Sequence, residues 1–325
     1  MGKHTVHVAV SIQDKLHAGP LLRKWGIWFW LIVFGVIFSL ILPYFFSARN
    51  FFNIARQASI FGIMAIGMTF VIISGGIDLS VGSIVSFTSA VFGFVWQATG
   101  NVFLSIACGL LVGLLSGVIS GILVGYAGLP PFIATFGMMG VGAGLAFGVT
   151  PGSIGGFPEA FEFLGNGRIV SIPVPVFFLI AFTAIAYYLL QKTKYGLRLL
   201  AIGGSETSAR LAGIDIKRYK LGIYTLNGAL ASIAAIILCA RIRSSYPGIG
   251  EGFELDVIAA TVIGGANLMG GEGSITGAIG GAIFIVMIQN LFNLYGIYPF
   301  VQKVITGAFI VIAVLAKAKG MSGKP

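Results

Sequence analysis

Apolar runs of about 20 residues, the length a helix needs to cross about 30 Å of hydrocarbon, fill most of this chain and alternate with short polar or glycine-rich breaks. The pattern predicts spans at 25–46, 54–74, 81–98, 103–125, 132–149, 173–191, 220–240, 256–269, 274–294 and 299–316. That makes ten, the eighth short for a full crossing. The first, from Trp25 to Phe46, is longer than a signal-peptide core and has no small-x-small cleavage site, so it reads as retained. A β-barrel would instead show alternating segments of about ten residues.

One break stands out. Between the apolar runs 57–74 and 84–96 lies Gly75-Gly76-Ile77-Asp78-Leu79-Ser80-Val81-Gly82-Ser83, a lone carboxylate among glycines. An ionised side chain inside the hydrocarbon costs at least about 2.5–3.5 kcal/mol on insertion scales, so the acid needs a reason. Either this is a cytosolic turn whose Asp78 caps the next helix, or a broken helix beside a transport path. A short echo follows later: Gly264-Gly265-Ala266-Asn267-Leu268, then Gly273-Ser274-Ile275, again closing one span and opening the next. The residues marked as path or helix break are Gly75, Gly76, Asp78, Ser80, Gly264, Gly265 and Asn267.

Composition fixes the class. Hydrophobic residues make up 57% and charged residues 9% of the chain, against about 25% charged in soluble domains. The fold class is an all-α polytopic membrane protein of about ten transmembrane helices, some broken by glycine motifs. All but six of the 20 Lys and Arg fall on one side if the N-terminus is inside; the six are Arg49, Arg56, Arg168, Arg241, Arg243 and Lys303. Both termini are therefore expected in the cytoplasm. The net charge of +10 reflects topology and anionic lipid, with no nucleic-acid partner. The organisation that follows is a cytoplasmic tail over 1–24, a permease domain over 25–316 and a second tail over 317–325.

Other chemistry is excluded by what the chain lacks. Cys108 and Cys239 lie in apolar runs and read as packing residues; His4, His7 and His17 crowd the N-terminal tail. No zinc motif, nucleophilic triad or phosphate-binding Gly-x-x-x-x-Gly-Lys-Ser/Thr loop occurs, so no metal, cofactor or catalytic residue is expected. Among the 48 glycines, those at 109, 113, 117, 121 and 125, at 140, 144 and 148, and at 273, 277 and 281 recur every fourth residue. Each set reads as a helix-packing ridge. Between the spans, the basic stretch 192–219 holds Gly203-Gly204-Ser205-Glu206 and Ala209-Arg210-Leu211-Ala212-Gly213, where Glu206 and Arg210 are spaced for an i,i+4 pair and Gly213 can end the helix. It is a solvated connector or a docking surface for a cytosolic partner.

Four segments carry a resemblance: GIMAIGMTFVIISGGIDLSVGSI (62–84), GLPPFIATFGMM (128–139), YGLRLLAIGGSETSARLAGI (195–214) and GEGFELDVIAATVIGGANLMGGEGS (250–274). The chain resembles the ribose-type, monosaccharide branch of ATP-binding-cassette importer permeases. The resemblance implies a bacterial or archaeal inner-membrane subunit in a dimer with a second copy or a sister permease, two cytosolic ATPases that bind the ATP, and an extracytoplasmic sugar-binding protein. It maps ATPase coupling onto Gly203, Gly204, Glu206, Ala209, Arg210 and Gly213. Ser205 to Ser208 stands where relatives often have Asn-x-Glu-Ala, and Ala266-Asn267 where they often have Thr-Ser, which leaves the sugar open. Arg241 and Arg243, just before Ser244-Ser245-Tyr246-Pro247-Gly248, are expected to dock the binding protein. Alternatives are a permease for an autoinducer sugar, nucleoside or branched-chain amino acid, and an ion-coupled carrier using Asp78; an intramembrane enzyme would need a catalytic pair that is not visible.

Overall fold

The computed structural model describes residues 20–308 apart from Pro43, Pro299 and Thr306. The two terminal tails expected at 1–24 and 317–325, and the end of the last expected span, lie largely or wholly outside the described residues. Helices follow the apolar runs: α1 (Pro20–Ile41), α2 (Ala48–Ile73), α3 (Val81–Thr99), α4 (Val102–Gly125), α5 (Pro131–Val149), α6 (Glu159–Asn166), α7 (Val174–Lys192), α8 (Lys194–Gly204), α9 (Glu206–Leu211), α10 (Ile216–Ile242), α11 (Phe253–Ile263) and α12 (Ile275–Leu294). Two tiny antiparallel ladders are added, β1 (Ile154–Gly155) with β4 (Ser244–Ser245) and β2 (Arg168–Ile169) with β3 (Ile172–Pro173).

The starts of these helices are written in short polar side chains. Ser47 accepts from the Asn50 N–H, Asn101 from those of Phe103 and Leu104, Ser205 from that of Ser208, Asp215 from that of Arg218, and Ser274 from that of Gly277. Each satisfies a donor that has no partner inside the first helical turn.

α2 is the axis of the molecule. Its residues from Ala58 to Ile73 are all buried, and α10, α12, α7 and α11 pack around it. α4, α5 and α7 instead present apolar side chains outward, among them Leu115, Phe132, Phe136 and Ile180, as helices bordered by lipid do. Among the described residues seven helices are long and apolar enough to cross a membrane; the apolar stretch Gly26–Ile41 is shorter. The predicted eighth span is the 11-residue α11, which at 1.5 Å per residue reaches only about half-way through a bilayer core.

The glycine stripes divide. On α4 the ridge fits against α10: a Cβ at Gly113 would overlap the Gly228 carbonyl, one at Gly117 the Tyr224 carbonyl, and one at Gly121 would come within 2.8 Å of the Leu221 Cα. On α12, Gly277 and Gly281 bring the backbone against Gly264 and Ala260 of the preceding segment. The stripe of Gly140, Gly144 and Gly148, expected as a third helix-packing ridge, does not pack against the described residues of this chain. Among the described residues no atom beyond the flanking residues and the helix's own backbone lies within 4 Å of the Cβ position at any of them, because α5 buries the opposite face through Thr135, Gly142 and Ala146.

Candidate functional site

α2 is about 39 Å long from Ala48 to Ile73, and the chain does not turn directly at its end. After Ile73 it doubles back as an extended segment and enters the bundle. There Asp78 is fully buried: Oδ1 accepts from the Ser80 N–H at 2.9 Å and from the Ser80 hydroxyl at 2.6 Å, and Oδ2 accepts from Asn227 Nδ2 at 2.8 Å. Asn227 lies against Gly67, where a Cβ would overlap its Oδ1, so the carboxylate sits about 9 Å inward from the Ile73 end of α2. The neighbouring Ile77 carbonyl accepts from the Tyr224 hydroxyl and the Thr135 hydroxyl, both at 3.3 Å. Irregular backbone at this depth is thereby kept satisfied by protein, the condition for a re-entrant break. The broken-helix reading fits this geometry; Ser80, not Asp78, occupies the helix-cap position, and Asp78 holds the turn that leads into α3.

A second break enters from the opposite end. From Arg243 to Gly252 the chain runs alongside α3, with the Tyr246 N–H donating to Ser89 Oγ at 3.1 Å and the Gly250 N–H to Ser86 Oγ at 3.0 Å. α11 then starts beside Phe61, whose ring lies 4.8 Å from that of Phe253. Phe61 is near the middle of α2, so α11 is a half-helix beginning inside the bundle. The two breaks abut at Gly82 and Gly250, where a Cβ on either would overlap the carbonyl of the other or crowd it to 2.5 Å.

At the Ile73 end three segments meet backbone to backbone. The Gly271 N–H donates to the Ile73 carbonyl at 2.8 Å, and Gly203, on the last turn of α8, is wedged so tightly that a Cβ would overlap both of those groups. Gly75, Gly270 and Gly271 all take positive φ there, 77°, 89° and 76°, conformations cheap for glycine. Gly76 is held against Val71 and the Tyr224 hydroxyl, and Gly264 against Gly277, while Gly265 turns the chain at φ 104°. Asn267 is half-buried and accepts from the Met269 N–H at 3.1 Å in a local turn. The echo of the first motif is thus a tight turn rather than a second re-entrant acid.

The stretch 192–219 folds as α8 and α9 and runs into the first turn of α10. Tyr195 stacks on Tyr219 at 4.9 Å; burial first, and that neighbour second, push its phenol up to about 12, so it stays neutral. Ala209 is buried against Ile202 and Ile216. Glu206 is paired with Lys220 of α10 rather than with Arg210, because α9 lies against α10. Gly204 and Gly213 stand in open space, Gly213 at φ 78° where the chain leaves α9, and Arg210 is exposed. At the other end, Arg241 and Arg243 part company. Arg241 turns inward and donates to Asn53 Oδ1 at 3.2 Å; Arg243 faces outward, 2.8 Å from Glu162.

Sequence reasoning missed Asn227, Tyr224 and Thr135. Asn227 could have been found as the one amide interrupting the apolar run 220–240; no signal marked Tyr224 or Thr135 as partners of Ile77. Among the described residues no cluster of three or more His, Cys, Asp or Glu is placed to hold a metal.

The family model described as branched-chain amino acid transport system / permease component matches residues 50–314, a range that includes both breaks and the α8–α9 segment. The chain belongs to this family of permease components. It is 40% identical over 310 residues to the ribose import permease protein RbsC of Bacillus subtilis (strain 168), covering 94% of this chain and 96% of the relative. Its identity to RbsC of Escherichia coli (strain K12) is 39% over 295 residues, 89% of this chain and 92% of the relative. The L-arabinose transport system permease protein AraH of the same strain is 35% identical over 297 residues, 90% of each chain. No solved structure matches this permease component.

Proposed function

We propose that this permease component is the membrane-spanning subunit of an ATP-binding-cassette importer for a monosaccharide, ribose or a related pentose, working by alternating access. The observation that carries the reading is the similarity to ribose and L-arabinose permeases over 89% or more of the chain. The setting is a bacterial inner membrane, crossed many times. In this reading the Ile73 end faces the cytoplasm, ten spans put both termini there, and 25–316 forms the permease domain between two tails. ATP is bound and hydrolysed by two separate cytosolic ATPase subunits that contact the α8–α9 segment. A soluble sugar-binding protein delivers cargo at the other end, and a second copy or sister permease completes the path.

The geometry supplies the link between them. Because Gly203 touches the Ile73 carbonyl and Gly271 with no intervening side chain, displacement of α8 moves the ends of α2 and of the α11–α12 turn together. Neither can lag by a side-chain rotation. Asp78, tied to Ser80 and Asn227, then carries the motion to the start of α3 and the middle of α10. Of the two cations expected to dock the binding protein, the exposed Arg243 fits that role, and the inward Arg241 fits the solute path.

The family description names a second class of cargo, branched-chain amino acids. Uptake of radiolabelled D-ribose, L-arabinose and L-leucine by cells with and without this chain separates them. Pentose uptake that disappears with the chain is expected; chain-dependent leucine uptake without pentose uptake would replace the sugar assignment.

A further inference from the structure

Toward the Ala48 end of α2, from about 14 Å in at Gln57 to about half-way along at Phe61, an uncommon set of polar groups converges among packed helices. Gln57 of α2 donates through Nε2 to Gln289 Oε1 at 3.3 Å, and Gln289 of α12 donates to Asp256 Oδ2 of α11 at 2.9 Å. Arg241 of α10 closes the outer side, and the tilted rings of Phe61 and Phe253 form the inner wall. These residues line a cavity of about 110 Å³. A broader recess of about 390 Å³ shares Phe253, Asp256 and Gln289 with it and continues past Glu254, Gln302 and Lys303. Intramembrane polar side chains are costly and mark solute pathways.

We infer that this recess is a solute site on the path and that it takes a neutral, hydroxyl-rich molecule edge first. The inference rests on the import function proposed above. Two amides, a carboxylate and a guanidinium on four different helices provide both donors and acceptors, which vicinal hydroxyls need and a cation or an anion does not. The aromatic wall matches the apolar face of a sugar ring. With water occupying about 30 Å³ per molecule in the liquid, the narrow cavity admits a hydroxylated edge while the ring body stays in the wider recess. The Gln57–Gln289–Asp256 chain is made of bonds that a hydroxyl can replace one for one, so binding stays weak and the cargo can leave. Its four helices include the half-helix α11, whose start the outer break positions, so movement of that break would open or close the recess.

The test uses the complete importer in proteoliposomes, with its own ATPases and binding protein, transporting D-ribose and L-arabinose. Gln289→Leu and Gln57→Leu remove hydroxyl partners, Gln289→Asn keeps the amide, and assembly is checked by size-exclusion of the purified complex. Expected are about tenfold slower transport of the preferred sugar in the Leu variants, the scale of one lost solute hydrogen bond, unchanged stimulation of ATPase by the loaded binding protein, and a ribose-to-arabinose rate ratio altered about threefold or more; Gln289→Asn should restore part of the rate. Both sugars slowed in equal proportion, or neither slowed, in an assembled complex overturns the site. If Gln289→Leu alone fails to assemble, the ratio measured in Gln57→Leu decides by the same criteria. A wild-type importer that moves neither sugar would sink the proposed function instead, a different outcome from either.

Discussion

The two ends of α2 are built on opposite principles. At the Ile73 end, glycines bring three segments into backbone contact, with nothing between Gly203, Ile73 and Gly271 that could rearrange. Toward the Ala48 end, long polar side chains of Gln57, Arg241, Asp256 and Gln289 face a cavity. A seam without side chains transmits displacement, because carbonyl and Cα positions shift only with the helices that carry them. A recess lined by flexible amides adapts to what enters it. Power input and solute contact are thereby given to different chemistry within one helix bundle.

That contrast can be broken most severely at the seam. Gly203→Val should abolish transport and uncouple ATPase stimulation from the loaded binding protein, since even the first added carbon overlaps backbone that can yield only by helix movement and overpacking costs about 1–3 kcal/mol or more. Substrate-stimulated ATPase in a purified complex checks this, and normal coupling there would mean that the seam is not the transmission point.

The next largest effect is expected at Asp78. Asp78→Leu leaves the Ser80 N–H, the Ser80 hydroxyl and Asn227 Nδ2 without their acceptor in a buried site, at about 1–3 kcal/mol for each stranded group, and should lose both transport and thermal stability. Asp78→Asn should keep most of both. Asn227 Oδ1 is buried without a hydrogen-bond partner among the described residues, so reversal of that amide would offer an acceptor to the new side chain. Equal loss of uptake in both variants, measured at matched expression, would point to the charge itself and to ion coupling.

Smaller changes sharpen the picture. Lys220→Met removes the partner of Glu206, whose side chain is 44% exposed; such pairs contribute about 1 kcal/mol or less. It should lower the coupling of hydrolysis to transport by about twofold to threefold without affecting insertion, read as sugar moved per ATP. Smallest of all, Arg243→Glu should weaken binding-protein docking by about threefold at low salt and hardly at moderate salt, because the Arg243 side chain is 65% exposed and its attraction to an acidic partner is screened by salt. Binding-protein affinity titrated across salt settles it. A salt-independent loss would move the interface elsewhere.

Helix positions were legible because apolar length and glycine spacing carry them: the predicted 54–74 and 274–294 differ from α2 and α12 mainly in the extra turns before Ile54 and in a residue at the start. The depth of Asp78 was not legible. A Gly-Gly-Ile-Asp stretch is compatible with a turn at the surface or with re-entry, and the choice depends on Asn227, 149 residues away. The same holds for the pairing of Glu206, where helical spacing suggested Arg210 and tertiary packing supplied Lys220. Arg241 and Arg243 are two residues apart on the chain, yet the first remains helical and inward while the second takes φ 59° and ends α10. The stripe on α5 had the right spacing for packing and the wrong surroundings, since sequence alone does not say which face of a helix meets its neighbours.

The abutment of Gly82 and Gly250 has a mechanical corollary. α3 and α11 both begin beside that contact and extend away from it in opposite senses, about 28 Å and about 16 Å by their lengths. If they rock as rigid rods about this shared fulcrum, a tilt of about 10° swings their far tips by about 5 Å and about 3 Å. Widening one mouth of the bundle would then narrow the other by construction, without any latch, so that a continuous pore never forms.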